Sequence, residues 1–197
     1  MDLLITEVVE RFYSLIWPMI RISAFLLAAP FFSLRAVTVR IRVLLAIALT
    51  WMVYPLYEWP ILDPTTAEGL REALFQVAIG VLMGLTLQIV SAALVVAGQS
   101  ISTSMGLGMA NLMDPNMGNV PVISQFLLIC STLIFLGLGG HVLVISMVLE
   151  TFRLIPIGSA IDLTNLFGLL ISWSAMIFLG GVLLALPIIV ALLFINI

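Results

Sequence analysis

The chain has 197 residues, of which 63% are hydrophobic and 9% charged, with a mean hydropathy of +1.30 and a net charge of −3. No soluble domain of this size could cover itself with polar groups from such a composition, so a bilayer is the expected surrounding. Seven scattered Arg, no Lys and ten acids exclude a nucleic-acid-binding surface, and a single Cys excludes an internal disulfide or a zinc cluster.

The N-terminus, MDLLITEVVER, places Asp2, Glu7 and Glu10 before the first Arg. A cleaved signal would open on a basic region, so this is expected to be a retained start. Five apolar segments follow, each measured against the roughly 20 residues that cross about 30 Å of hydrocarbon. The first, 12–32, is interrupted by Pro18, Arg21 and Pro30. An Arg at mid-bilayer costs roughly 3 kcal/mol on insertion scales. Arg21 therefore snorkels, pairs with a partner, or sits on a segment that does not face lipid. Pro18 favours the last two, which imply protein neighbours.

The second segment, 43–57, is short. The link before it, SLRAVTVRIR, carries three Arg and no acid, whereas 58–72 carries four acids and one Arg. The positive-inside rule puts 33–42 in the cytoplasm and the N-terminus outside. The third segment, 73–98, contains the small-xxx-small pair Gly80 and Gly84, which lets helix backbones approach closely. Gly137, Gly139, Gly140, Gly180 and Gly181 offer the same in later segments. Packing within the chain and contact with other subunits are both open readings of these glycines.

After Ala97 the chain turns small and hydroxylated, GQSISTS, a composition that lines aqueous paths or bonds across helices. Next comes MGLGMANLMDPNMGNVP, with methionine at 105, 109, 113 and 117. That period is helical, yet Gly106, Gly108, Asp114-Pro115, Gly118 and Pro121 interrupt it. Pro removes a donor and pushes the preceding residue out of helical geometry. One helical face is thus expected only as far as about Met113, with a loop beyond. Methionine is flexible and apolar, and suits either ordinary packing or a deformable seal that excludes water from a passage.

The fourth segment, 122–149, holds Cys130, read as a small buried apolar residue, and His141. An ionisable residue at that depth is a functional candidate; the alternative is a neutral imidazole bonded to a neighbouring helix. The fifth, 166–197, would be roughly 48 Å long as one helix. A kink or break near Gly180-Gly181 or Pro187 is expected. Strand patterning is absent, so the fold class is all-α, of integral-membrane type, with broken or kinked helices. No nucleophile, base and orienter can be assembled, which argues against an enzyme. No metal, cofactor or nucleotide-binding loop is expected.

Ile79-Gly80, Gly84 and Gln88, then AGQSISTSMGLGMANLMDPN, Gly140-His141, Ile155-Pro156-Ile157-Gly158 and LALPI at 184–188 occur in this order. Together they resemble the FliR family of flagellar type III export-gate subunits, whose injectisome counterpart is SctT. The detail at Met113-Asp114-Pro115 is closer to the flagellar branch. The resemblance covers essentially the whole chain. It implies a hetero-oligomeric helical assembly with several copies of FliP-like and FliQ-like subunits, beside FlhA-like and FlhB-like export proteins. The assembly would form the export channel for unfolded flagellar proteins at the basal body of the bacterial inner membrane. Much of it would be lifted out of the membrane plane, which undercuts the positive-inside topology and accounts for Arg21.

The resemblance further implies that Met105, Gly106, Gly108, Met109, Met113, Asp114, Pro115, Met117 and Gly118 belong to a plug over about 106–119. This plug would lie beside a methionine gasket from the FliP-like partner. Gly80, Gly84, Gln88, Arg21, Gly140 and His141 would serve helix packing or subunit contact. The domain expectation is a FliP-like part at 1–98 and a plug region at 99–121. The fourth segment with its link follows at 122–165. The opening of a C-terminal region comes at 166–197, with a further FliQ-like stretch beyond it in the family. An injectisome export-gate subunit, a small-molecule or ion transporter subunit and a purely structural scaffold are the rival functions.

Overall fold

A computed structural model describes residues 2–30, 38–57, 59–106, 121–159 and 163–195. Every regular element among them is helical: α1 (Asp2–Ala28), α2 (Val39–Val53) with a 3₁₀ turn at Tyr54–Leu56, α3 (Ala67–Ser104), α4 (Val122–Gly137), α5 (Gly140–Leu154) and α6 (Leu163–Ile195). Four are long and apolar enough to cross a membrane: Val9–Ala28, Val39–Leu56, Ala67–Ser104 and Thr164–Ile195. The all-α membrane-type expectation therefore holds.

Three boundaries differ from those expected. The third segment extends well beyond 73–98, because α3 starts at Ala67 and continues to Ser104. Thr66 caps its start, with Thr66 Oγ1 accepting from Gly69 N at 3.1 Å, the N3 position of a standard N-cap. Just upstream, Asp63 Oδ1 accepts from Thr65 N and Thr65 Oγ1 at 2.9 and 2.7 Å. The fourth segment is two helices. Gly139, at φ +74°, ends α4 in a conformation that L side chains avoid, and Leu138 N and Gly139 N close the last turn onto Ile134 O and Leu136 O. The fifth segment is one helix from Leu163 to Ile195 with Pro187 inside it, so of the kink or break expected near Gly180-Gly181 or Pro187 no break is found. α1 likewise continues through Pro18. A proline in a long apolar helix leaves one carbonyl without its usual partner and does not force the helix to end.

The chain divides into two compact units: residues 1–85 with 142–167, and residues 86–141 with 168–197. In the first, Trp17, Ile22, Phe25 and Leu26 of α1 are buried, as are Ala46 and Val53 of α2 and Val144, Val148 and Phe152 of α5. Gly80 and Gly84 bring α1 and α3 together. A Cβ on Gly80 would lie 2.8 Å from Ala24 Cβ, and one on Gly84 would lie 2.8 Å from Ala28 C and 2.9 Å from Ala29 N. Backbones at that separation gain dispersion and allow no side chain between them. These two glycines therefore serve packing inside the chain.

In the second unit, Ala97, Ile101 and Ala185 form a small buried cluster, flanked by Ile123, Leu127 and Ile189. Gly181 admits Val96, whose Cβ would stand 2.8 Å from a Cβ there. Much of α6 remains uncovered, with Trp173, Phe178, Leu183 and Phe194 exposed. An apolar surface of this kind requires lipid or other protein around it.

Candidate functional site

Two arrangements combine residues singled out in the sequence. The first surrounds Arg21, which is fully buried on α1. Its Nε donates to Gln76 Oε1 at 2.6 Å, Nη1 donates to Thr151 O at 3.1 Å, and Nη2 donates to Ile155 O at 3.0 Å. The guanidinium also sits 4.3 Å from the centre of the Phe152 ring. Thr151 and Ile155 lie at the end of α5, where helix carbonyls lack intrahelical partners and carry partial negative charge. A planar fork with several fixed donors matches two such carbonyls and an amide at once.

Glu72 completes the set. Gln76 Nε2 donates to Glu72 Oε1 at 2.5 Å, and the same oxygen accepts from Gly158 N at 3.0 Å. Glu72 acts electrostatically on Arg21 across Gln76 and supplies the countercharge. Gly158, at φ +84°, closes the turn after Pro156 that brings its N–H to the carboxylate. Arg21 thus ties α1, α3 and the end of α5 together. Protein neighbours were expected around Arg21, and the ones found belong to its own chain.

Aromatic rings extend this arrangement. Phe152 meets Trp59 edge-on at 5.3 Å, and Trp59 stacks with Tyr54 at 6.5 Å. Tyr57 Oη donates to Leu149 O at 3.3 Å. The sequence reading missed Glu72, Gln76, Thr151 and Phe152. The available signal was a carboxylate and an amide four residues apart, hence on one helix face, opposite a lone intramembrane Arg.

The second arrangement is the stem on either side of the methionine segment. A Cβ on Gly98 would stand 2.5 Å from both Ser124 Cα and Ser124 Oγ. Ser124 is fully buried, and its Oγ donates to Val95 O at 3.0 Å. α3 and α4 therefore touch backbone to backbone just before and just after the segment. Three of the hydroxyls between bond within their own helix rather than across helices. Ser100, Thr103 and Ser104 donate to Val96 O, Gln99 O and Ser100 O, each one turn back on the same helix. Such back-bonding satisfies a hydroxyl without water. Met105 is half exposed, and Gly106 takes φ +75° with nothing among the described residues within 4 Å of where a Cβ would stand. Residues 99–104, expected to open the plug region, are the last turns of α3. Gly108, Met109, Met113, Asp114, Pro115, Met117 and Gly118 lie outside the described residues.

The other named residues stand apart from both arrangements. Gln88 is exposed on α3. Gly140 starts α5 against Phe135, whose Cζ would lie 2.9 Å from a Cβ there. His141 is half-buried, and its Nδ1 is buried with no hydrogen-bond partner among the described residues. The neighbouring-helix bond considered for this imidazole is therefore not seen at Nδ1. Cys130 is half-buried.

Residues 12–197 match the family described as bacterial export proteins, family 1. The chain is 36% identical to the flagellar biosynthetic protein FliR of Pectobacterium carotovorum subsp. carotovorum over 91% of its own length and 69% of that relative's. It is 35% identical to the FliR of Escherichia coli (strain K12), with the same shares of each chain covered. It is 32% identical to the FliR of Aquifex aeolicus (strain VF5) over 95% of its length and 73% of that relative's. A match over almost the whole chain, carried by helices of membrane-crossing length, places the chain in family 1 of the bacterial export proteins, the FliR family.

Proposed function

We propose that the chain is a non-enzymatic subunit of the flagellar type III protein export gate in the bacterial inner membrane. It forms part of the wall of a channel for unfolded flagellar proteins. FliP-like and FliQ-like subunits surround it, FlhA-like and FlhB-like export proteins act beside it, and energy is supplied elsewhere in the apparatus. Residues 106–119 act as a plug. Their methionines re-pack around an irregular aperture and exclude water from it, and their glycines let the segment move aside.

The observation that carries the plug reading is the Gly98–Ser124 contact. The chain entering the methionine segment and the chain leaving it belong to one packed stem, closed by Ala97, Ile101, Ile123 and Leu127. A segment anchored at both ends on a rigid base can swing without taking the wall with it. The uncovered apolar surface of α6 supports a life among lipid and other subunits.

The test is ion leak across the inner membrane of cells carrying the full set of partner subunits, with residues 106–119 deleted and assembly followed in parallel. A leak with intact assembly supports the plug. An assembled gate that stays tight means the segment is scaffold and removes it from the closing mechanism.

A further inference from the structure

The chain has four glutamines. Gln76 serves Arg21, whereas Gln88 and Gln99 on α3 and Gln125 on α4 are exposed, all three in the second unit. At about 100° per residue, Gln88, Ala92, Gln99 and Thr103 fall within about 60° of one another round α3. Gln99 and Thr103 are exposed on this face, and it lies opposite Ala97 and Ile101, which are buried in one cluster with Ala185. From Gln88 to Thr103 the stripe runs about 22 Å along the helix axis, inside the membrane-length stretch Ala67–Ser104.

Lipid cannot cover such a face. A primary amide carries two donors and an acceptor, and hydrocarbon satisfies none of them. The uncovered surface of α6 in the same unit is apolar instead, as at Trp173, Phe178 and Leu183. The amide stripe is also free of charge, because no acid or base occurs in 73–104 or in 122–137.

Its position relative to the methionine segment narrows the occupant. Thr103 comes two residues before Met105, on the chain entering the segment. Gln125 follows Ser124, the residue that packs on Gly98 where the chain leaves it. Exposed amides and a hydroxyl thus stand beside both attachments of 106–119. A surface that adjoins both ends of a plug borders the aperture the plug closes.

On the channel reading given above, we infer that the Gln88–Gln99–Thr103 face of α3, with Gln125 of α4, is the track that touches passing cargo, an extended polypeptide of any sequence. An unfolded chain presents backbone N–H and C=O groups without protein partners, and each glutamine amide offers both complements. A neutral face lets acidic and basic cargo pass alike. Hydrogen bonds between neutral groups exchange with water at small net gain, so the cargo slides along the stripe and is not held there.

The test uses the assembled gate in cells, with photoreactive p-benzoylphenylalanine placed singly at Gln88, Gln99, Gln125, Val90 or Phe178. Val90 is exposed about 160° round α3 from Gln88, and Phe178 is exposed on α6. An export cargo fused to a domain that stays folded is stalled in the gate before illumination. Crosslinks to the cargo are expected from Gln88, Gln99 and Gln125 and not from Val90 or Phe178. Crosslinks from Gln88 and Gln99 to a partner subunit in place of the cargo overturn the assignment and make the stripe an assembly surface. Cargo found at Val90 or Phe178 but not on the stripe overturns it too, while leaving the channel reading intact. Stalled cargo at none of the five positions refutes the channel reading itself. The double variant Gln88→Leu with Gln99→Leu should assemble and slow export about tenfold, the effect of one or two neutral hydrogen bonds lost. Gln88→Asn with Gln99→Asn keeps the amides and should retain at least half of the parent rate. Unchanged export in the leucine double variant, or its failure to assemble, overturns the assignment.

Discussion

Removing the Arg21 side chain should cost more than any other single truncation in the first unit. Arg21→Met keeps the length of the side chain and loses the donors to Gln76 Oε1, Thr151 O and Ile155 O. It also leaves Glu72 half-buried beside Gln76 without its countercharge. Losing the donors to three acceptors together with the countercharge of the half-buried Glu72 costs about 3–5 kcal/mol in sum. Arg21→Met combined with Glu72→Gln removes both charges and should recover at least half of that loss. Arg21→Lys keeps the charge but cannot serve three acceptors in one plane, so an intermediate loss of about 1–3 kcal/mol is expected. The assay is reversible unfolding in mixed micelles, followed by far-ultraviolet circular dichroism, with the two single variants and the double variant forming a cycle. A single-variant loss below about 1 kcal/mol, or a double variant as costly as the two singles summed, would refute the argument.

Other outcomes follow from the same geometry. Gly84→Ala should destabilise by about 1–3 kcal/mol, since the added Cβ meets Ala28 and the Ala28–Ala29 backbone. Gly168→Ala, with nothing within 4 Å in helix α6, should be neutral or stabilising by up to about 1 kcal/mol; thermal unfolding of the two variants separates close packing from helix propensity. Gly98→Ala forces Ser124 away from α3. It should loosen the stem, read as faster amide exchange at Ile101 and Ser124 than in the parent protein. The carboxyl of Asp63 is held below the usual carboxylate value by the Thr65 backbone N–H and hydroxyl. Its folded pKa is therefore lower than its unfolded one. Its contribution is present above the unfolded value of about 3.9 and fades as pH falls through the lowered folded value. The protection of the Thr65 amide, taken relative to its intrinsic exchange rate at each pH, should fall over that acid window, and Asp63→Asn should abolish that fall.

Composition alone determined the class. A chain with so few charges must surround itself with lipid or protein, and its long apolar runs without strand alternation can satisfy their backbone only as helices. The order of short motifs from Ile79 to Ile188 was enough to indicate the family, and the family match bears that out. Glycine pairs could be seen as close-packing positions, but their partners could not. Gly84 facing Ala28 and Gly98 facing Ser124 are contacts between residues far apart in the chain, and a short-range pattern carries no trace of them.

Helix ends were the least legible. Hydropathy follows the hydrocarbon, whereas α3 begins where Thr66 can cap it and persists through hydroxyls that bond their own turn. A kink or break was expected in α6 near Gly180-Gly181 or Pro187, but the helix runs on through Pro187, because one missing N–H is a local deficit that a long apolar helix absorbs. The sequence marked Arg21 as out of place in an apolar segment, since an isolated charge there is unfavourable whatever the fold. Only the tertiary structure could decide how it is accommodated. Gln76, the terminal carbonyls of α5 and Glu72 converge on it from positions 51 to 134 residues away, and desolvation makes that convergence a requirement of the fold.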